Sequence, residues 1–257
     1  MKKSLITSVV FGALLAGNAM AADMPVKAPM LMKAPPPSFS WTGCYIGGGG
    51  GYGMWNQETF EETDPGLVAA APTQTGGGRG WFGTAQVGCD YQLSTPIFGS
   101  TIVIGAQGDW DWGRLKGSPN ISDENIGVDE TNNWTWGAGG RIGYVIAPQV
   151  LGYFSGGYTQ AHFGQVNFVS DDTGLSTGVA LLAHTYHGWY LGSGYEYGFT
   201  FLPGLFWKTE YRYSEFSAAD LSHIVLATNV TDGVASNSKK FIQTIRSELV
   251  WRFNWAH

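Results

Sequence analysis

Residues 81–93 read WFGTAQVGCDYQL, and they alternate without a slip. Trp81, Gly83, Ala85, Val87, Cys89, Tyr91 and Leu93 fall on one face, while Thr84, Gln86, Gly88, Asp90 and Gln92 fall on the other with Phe82 as its one large apolar member. Successive side chains of a strand point to opposite faces, so this stretch is a strand with one apolar side and one polar side. The alternation returns in at least five later segments, and in several of them the polar side carries full charges. Apolar groups outside and charges inside suit a barrel that sits in lipid rather than in water.

Seven further strand candidates extend the pattern. The first, about 41–53, is glycine-heavy and its parity stays open. The third, about 100–113, points Ile102, Ile104, Ala106, Trp110 and Trp112 outward and Gln107, Asp109 and Asp111 inward. The fourth, about 133–146, points Arg141 inward. The fifth, about 150–163, is apolar on both faces. The sixth, about 188–200, sends Glu196 inward. The seventh, about 205–216, sends Lys208, Glu210 and Arg212 inward, and the eighth, about 240–253, sends Arg246, Glu248 and Arg252 inward. Each exceeds the roughly 9–11 residues that a tilted strand needs to cross a bilayer.

The connections alternate in length. Ser94–Gly99, Ala147–Gln149 and Phe201–Gly204 are short and each carries a proline, whereas 54–80, 114–132, 164–187 and 217–239 are long and polar. Short turns at one end and long loops at the other are the asymmetry of an outer-membrane barrel, and an even strand number lets it close without edges. The expected fold is therefore all-β, an eight-stranded antiparallel up-and-down transmembrane β-barrel. Under this assignment Trp55, Trp81, Trp112, Trp134 and Trp189 fall near the outer rim, and Trp41, Tyr91, Tyr144, Phe199, Trp207 and Phe253 near the periplasmic rim. Aromatic side chains favour both interfaces.

The chain begins with a secretory pattern: Lys2 and Lys3, an apolar run from Leu5 to Leu15, and Ala19-Met20-Ala21 before Ala22. Residues 1–21 are read as a signal peptide, 22–40 as a Pro-rich periplasmic leader and 41–257 as the barrel. Without residues 1–21 the chain has a formal charge of −8, from 12 basic and 20 acidic residues. An acidic exported chain without a basic cluster is a poor candidate for nucleic acid or for an anionic membrane surface.

The motifs SWTGCYIGGGGGYG at 40–53, KTEYRYSEF at 208–216 and TIRSELVWRF at 244–253 resemble the opening, penultimate and closing strands of the Omp25/Omp31 outer-membrane proteins of alphaproteobacteria; the leader ADMPVKAP resembles theirs too. The resemblance implies an eight-stranded OmpA-like barrel that supports the envelope and is exposed to hosts, with haemin bound by some members. Such chains commonly end at the aromatic residue of the last strand, whereas here Asn254-Trp255-Ala256-His257 follow Phe253.

Eleven inward charges form the candidate site: Asp90, Asp109, Asp111, Arg141, Glu196, Lys208, Glu210, Arg212, Arg246, Glu248 and Arg252. An eight-stranded barrel is just wide enough for its side chains to fill, and an isolated ion away from water is costly, so the charges should pair into a rigid plug. A small ion or proton path through the same groups is the alternative. Asp109 and Asp111 have the composition of a glycosidase pair, but a filled lumen has no room for a sugar, and no catalytic centre is read.

Cys44 and Cys89 are the only cysteines. In a hairpin whose loop centres near 66–67 they lie opposite one another, so a disulfide and two free thiols both stay open. His184 and His187 are a candidate grip for haem iron or a metal, but nothing nearby completes a ligand set, and neither metal nor cofactor is expected. The Gly47–Gly53 run lacks the Lys-Ser/Thr step of a phosphate loop. The expected partners are outer-membrane lipid, lipopolysaccharide and the barrel insertion machinery, with a host surface or haemin as further candidates. An eight-stranded barrel closes without a second copy, so a monomer is expected.

Overall fold

The computed structural model describes residues 40–64, 66, 72–94, 100–119, 125–170 and 172–254. The signal peptide and almost all of the Pro-rich leader lie outside these residues, as does the tail beyond 254. No helix of the described chain is long and apolar enough to cross a membrane, which says nothing against crossing by strands.

Eight long strands form a closed ring. In ring order they are β1 (Gly43–Thr63), β2 (Gln74–Gln92), β3 (Ile102–Ser118), β5 (Glu130–Ala147), β6 (Val150–Phe163), β9 (His184–Gly198), β10 (Leu205–Phe216) and β12 (Val230–Asn254), all antiparallel to their neighbours. The β1–β12 ladder closes it without interruption from Gly43↔Asn254 to Thr63↔Val234. Closure leaves no row of unpaired backbone groups, which hydrocarbon would not tolerate.

The alternation decides which side chains face inward. Ile46, Trp81, Val87, Ile104, Trp112, Ile142, Tyr144, Leu191, Ile245 and Leu249 are exposed on the outside, whereas the charged residues of the opposite parity are buried. Such an apolar exterior is the reverse of a soluble barrel. Two expected girdle members depart from this. Trp41 and Trp55 are each 1% exposed and lie inside, Trp41 against Phe206 and Trp55 against Phe163. Parity accounts for both, because on β1 the outward set is even-numbered, with Ile46 and Met54 exposed and Tyr45 buried.

The four connections expected to be loops are largely strand. The first is taken up by the prolonged β1 and β2, and four short strands lie in the other three: β4 (Asn125–Val128), β7 (Val166–Ser170), β8 (Ser176–Leu181) and β11 (Ala219–Val225). The long strand β12 exchanges partners to accommodate them. Its lower part pairs with β10 up to Phe241, and from Ser238 outward the same edge pairs with β11. The sheet then runs β11–β8–β7–β4, and Ser118 Oγ at the end of β3 donates to the Gly127 carbonyl of β4 at 2.9 Å. The long-connection end thus carries a second tier of sheet with its own core of Val166, Phe168 and Leu181, flanked by Val179 and Leu221. Extended chain that pairs in this way satisfies its own backbone polar groups.

Candidate functional site

The lumen is filled in layers. Nearest the short-turn end, Asp90, Arg141, Glu196 and Arg252 form a closed square. They arise from β2, β5, β9 and β12, which are alternate strands of the ring. Arg141 Nε donates to Asp90 Oδ1 at 2.8 Å, and a terminal nitrogen of Arg141 donates to Asp90 Oδ2. Its other terminal nitrogen reaches Glu196 Oε1 at 2.5 Å. Arg252 completes the square at 2.7 Å to Asp90 Oδ2 and 2.5 Å to Glu196 Oε2. Acids and guanidiniums alternate around it, so the square is neutral, and charge-assisted bonds of this kind are the strong ones.

Rings seal the square. Both guanidinium carbons lie 4.8 Å from the Tyr45 ring centroid, and Tyr153 and Phe206 stack on Arg141 and Arg252 at 5.0 and 5.3 Å. The positive groups sit over ring faces, which attract them. Close packing here depends on small residues: a Cβ on Gly105 would collide with the Asp90 carboxylate, and one on Gly192 would meet Ser155 Oγ at 2.5 Å.

The next layer joins β2, β10 and β12. Lys208 Nζ donates to Gln86 Oε1 at 2.5 Å and lies 3.7 and 3.8 Å from Glu210 and Glu248. Gln86 Nε2 in turn donates to Glu248 at 2.6 Å, and the Tyr153 hydroxyl donates to Glu210 at 2.9 Å. Above it, Arg212 holds Asp109 with both terminal nitrogens, at 2.8 and 2.9 Å, and donates from Nε to Glu210 at 2.9 Å. Arg246 bridges Asp109 and Asp111 at 3.1 and 2.9 Å.

All eleven charges read from the sequence are therefore lumenal and buried. The neighbouring charges of β10 and β12 do oppose each other, Lys208 against Glu248 and Glu210 against Arg246. Most of the short contacts, however, run across the lumen rather than along that ladder.

Three members were missed. Lys240 is 1% exposed and donates to Glu130 at 2.6 Å and to Gln57, with the Phe163, Trp55 and Tyr186 rings 4.5, 5.1 and 5.2 Å from its ammonium. Its parity matches Arg246 and Glu248, so the signal was present. Glu130 and Gln57 fell in segments taken as loop. With them the named lumenal groups come, among the described residues, to six cations and seven carboxylates.

The cavity between Phe82, Asp111, Leu115, Arg212 and Arg246 has about 10 Å³, and one beside Lys240 and Tyr186 is of the same size. Each holds about one water molecule.

Cys44 and Cys89 are register partners across β1 and β2 and are joined as a disulfide. The histidine pair is separated by the pleat. His184 and His187 both lie on β9, three positions apart and so on opposite faces; His187 Nδ1 is hydrogen-bonded outside to the Tyr158 hydroxyl at 2.5 Å, and His184 packs on Tyr186 at 4.8 Å. The two cannot share one iron. Among the described residues no cluster of His, Cys, Asp and Glu has the arrangement of a metal site.

Sequence comparison places this geometry among known proteins. The chain is 29% identical to the 31 kDa outer-membrane immunogenic protein of Brucella melitensis, over 98% of this chain and 100% of that protein. It is 27% identical to the 22 kDa outer membrane protein of Rhizobium leguminosarum bv. viciae, over 72% of this chain and 68% of that one. Its relatives are outer-membrane proteins of the Omp25/Omp31 kind. The resemblance read from residues 40–53, 208–216 and 244–253 thus holds along the chain, and the barrel is an outer-membrane barrel. No family model matches.

Among solved structures, the attachment invasion locus protein Ail of Yersinia pestis is similar with a TM-score of 0.30 and 14% identity, over 80% of this chain and 99% of that one. Neisserial surface protein A gives 0.36 and 12%, over 83% and 98%. The Escherichia coli outer membrane protease OmpT gives 0.38 and 13%, over 81% and 97%. At these scores the likeness carries no argument, and the fold rests on the strand ladders themselves.

Proposed function

We propose that this outer-membrane barrel is a non-conducting, non-catalytic envelope protein: its lumen is a charge-compensated plug, and its role lies in the shell and the external sheet. The observation that carries the reading is the neutral square of Asp90, Arg141, Glu196 and Arg252, which joins four alternate strands across the lumen. An ion path needs hydrated space, and two cavities that line the lumen above the square hold about one water each. A hydrolytic role needs room for substrate beside Asp109 and Asp111, and both are occupied by Arg212 and Arg246. Outer-membrane lipid and lipopolysaccharide surround the shell, the insertion machinery delivers it, and the barrel works as a monomer.

The deciding experiment is single-channel recording of the refolded protein in a planar bilayer. Silence is expected. Reproducible ion-selective steps would replace this reading with that of a narrow porin. A haemin-receptor role loses its iron grip with His184 and His187 on opposite faces, and a Soret titration without a spectral shift is the expected result.

A further inference from the structure

Ten of the chain's lysines and arginines lie between residues 40 and 254. Six are the buried lumenal cations, and Lys239 pairs with Glu215 at 2.7 Å on the outside. The remaining three, Arg79, Arg114 and Lys116, are all exposed, and among the described residues none of them forms an ion pair. They are not scattered. Arg79 of β2 is the register partner of Lys116 of β3, and Arg114 lies two residues further in on the same outward face. Thus every exposed, unpaired cation of the described barrel, in a chain that is acidic overall, stands on one patch of two adjacent strands.

That arrangement is unfavourable by itself. Partners directly opposite on an antiparallel ladder have Cβ atoms about 4.5–5.5 Å apart, and like charges placed so repel. Among the described residues no carboxylate forms an ion pair with them, although exposed Asp129 stands two residues before Thr131, the β5 partner of Lys116. The outward residue of β1 opposite Arg79 is Met54, and the outward carboxylate of that strand, Glu58, is opposite Lys239 instead. An anion lying over the patch would turn the repulsion into attraction, since phosphate oxygens accept from several such donors at once.

Position identifies the anion. Trp81 immediately follows Arg79 on the outward face of β2 and is 76% exposed, and Trp112 precedes Arg114 on β3 and is 50% exposed. Outward tryptophans mark the membrane–water boundary, so the three cations stand just beyond it, at the level of lipid headgroups in the outer leaflet. We propose that Arg79, Arg114 and Lys116 form a binding site for the phosphorylated headgroup of an outer-leaflet glycolipid, whose acyl chains lie along the β2–β3 face beneath Trp81 and Trp112. The site rests on the outward orientation of the long connections but not on the plug.

The test measures binding of bisphosphorylated lipid A to the refolded full-length barrel in neutral detergent, against phosphate-free lipid A and against inositol hexakisphosphate. The wild type should bind the bisphosphorylated lipid and favour it over both others. Neutralising one cation should weaken binding about fivefold, and the triple variant R79Q/R114Q/K116Q roughly a hundredfold, from the usual worth of a cation near an anionic lipid surface. K239Q, exposed but already paired, should bind as the wild type does. Unchanged binding in the triple variant overturns the site. Equal binding of inositol hexakisphosphate overturns the lipid assignment in favour of a soluble polyanion. The single variants keep the test open if the triple variant does not fold. Bilayer recordings of the same preparations separate the two readings, because a conducting wild type removes the plug and leaves the lipid site standing.

Discussion

Arg141 and Arg252 project from strands on opposite sides of the ring, β5 and β12, and hold the same two carboxylates, Asp90 and Glu196. Each acid is therefore gripped from two sides, and each guanidinium spans two acids. All four side chains are buried, so no member has water as a substitute partner. Removing one member of such a pair leaves a buried ion uncompensated, and the cost is far larger than the net worth of the pair. Glu196→Gln should destabilise the folded barrel by about 3–5 kcal/mol. The check is the temperature at which the folded band converts to the unfolded band in gel electrophoresis. A midpoint equal to wild type would remove the square as a structural element.

A second expectation concerns passage. If side chains alone close the lumen, removing both guanidiniums should open it. The double variant R141A/R252A leaves Asp90 and Glu196 with no cation in the square, and the space vacated lies beside Tyr45 and Tyr153. Cation-selective steps should appear in planar bilayers for this variant while the wild type stays silent. A silent, correctly folded double variant would show that other layers, centred on Lys208 and on the Arg212–Asp109 pair, close the lumen without it.

The disulfide supplies a third. Cys44 and Cys89 link β1 to β2 near the short-turn end. A bridge over 45 positions restricts the unfolded chain, and such links contribute about 2–4 kcal/mol. C44S/C89S should unfold earlier by that amount while keeping its barrel spectrum. Thiol counting on denatured, unreduced wild type should find no reactive group, and two groups would exclude the bridge.

How much of this was legible follows from what alternation does and does not encode. Parity on β2, β3, β5, β9, β10 and β12 assigned every lumenal charge named from the sequence to the buried face, because a slip of one residue would put ions into lipid. Parity was uninformative where glycines carry no preference. Gly47 to Gly51 leave the parity of β1 open, so the up-and-down assignment gives Trp41 and Trp55 a height at the rims but not a face. Partner choice across the lumen was not legible either. It depends on how far Arg212 reaches toward β3, which no spacing along the chain records. The external sheet was hidden for another reason: β4, β7, β8 and β11 are 4–7 residues long, too short for alternation to stand out among polar neighbours.

That external sheet carries a pH expectation. His223 of β11 is 5% exposed, its ring packs on Phe168 at 4.7 Å, and its Nε2 is hydrogen-bonded to Ser236 Oγ at 2.8 Å. Burial holds its pKa below the usual histidine value, with Asp232 opposing the shift. The folded sheet thus prefers neutral His223, whereas the unfolded segment takes up a proton near pH 6.5. Stability from this residue is fully present above about pH 6.5 and is lost as pH falls through the lower folded value. Amide exchange in β8 and β11 should accelerate between pH 7 and pH 5, relative to the intrinsic rate, while the lower part of the β1–β12 ladder stays protected. His223→Phe keeps a ring against Phe168 and has no proton to gain, so it should flatten this dependence. An equal pH response in that variant would assign the effect to the carboxylates of the external tier instead.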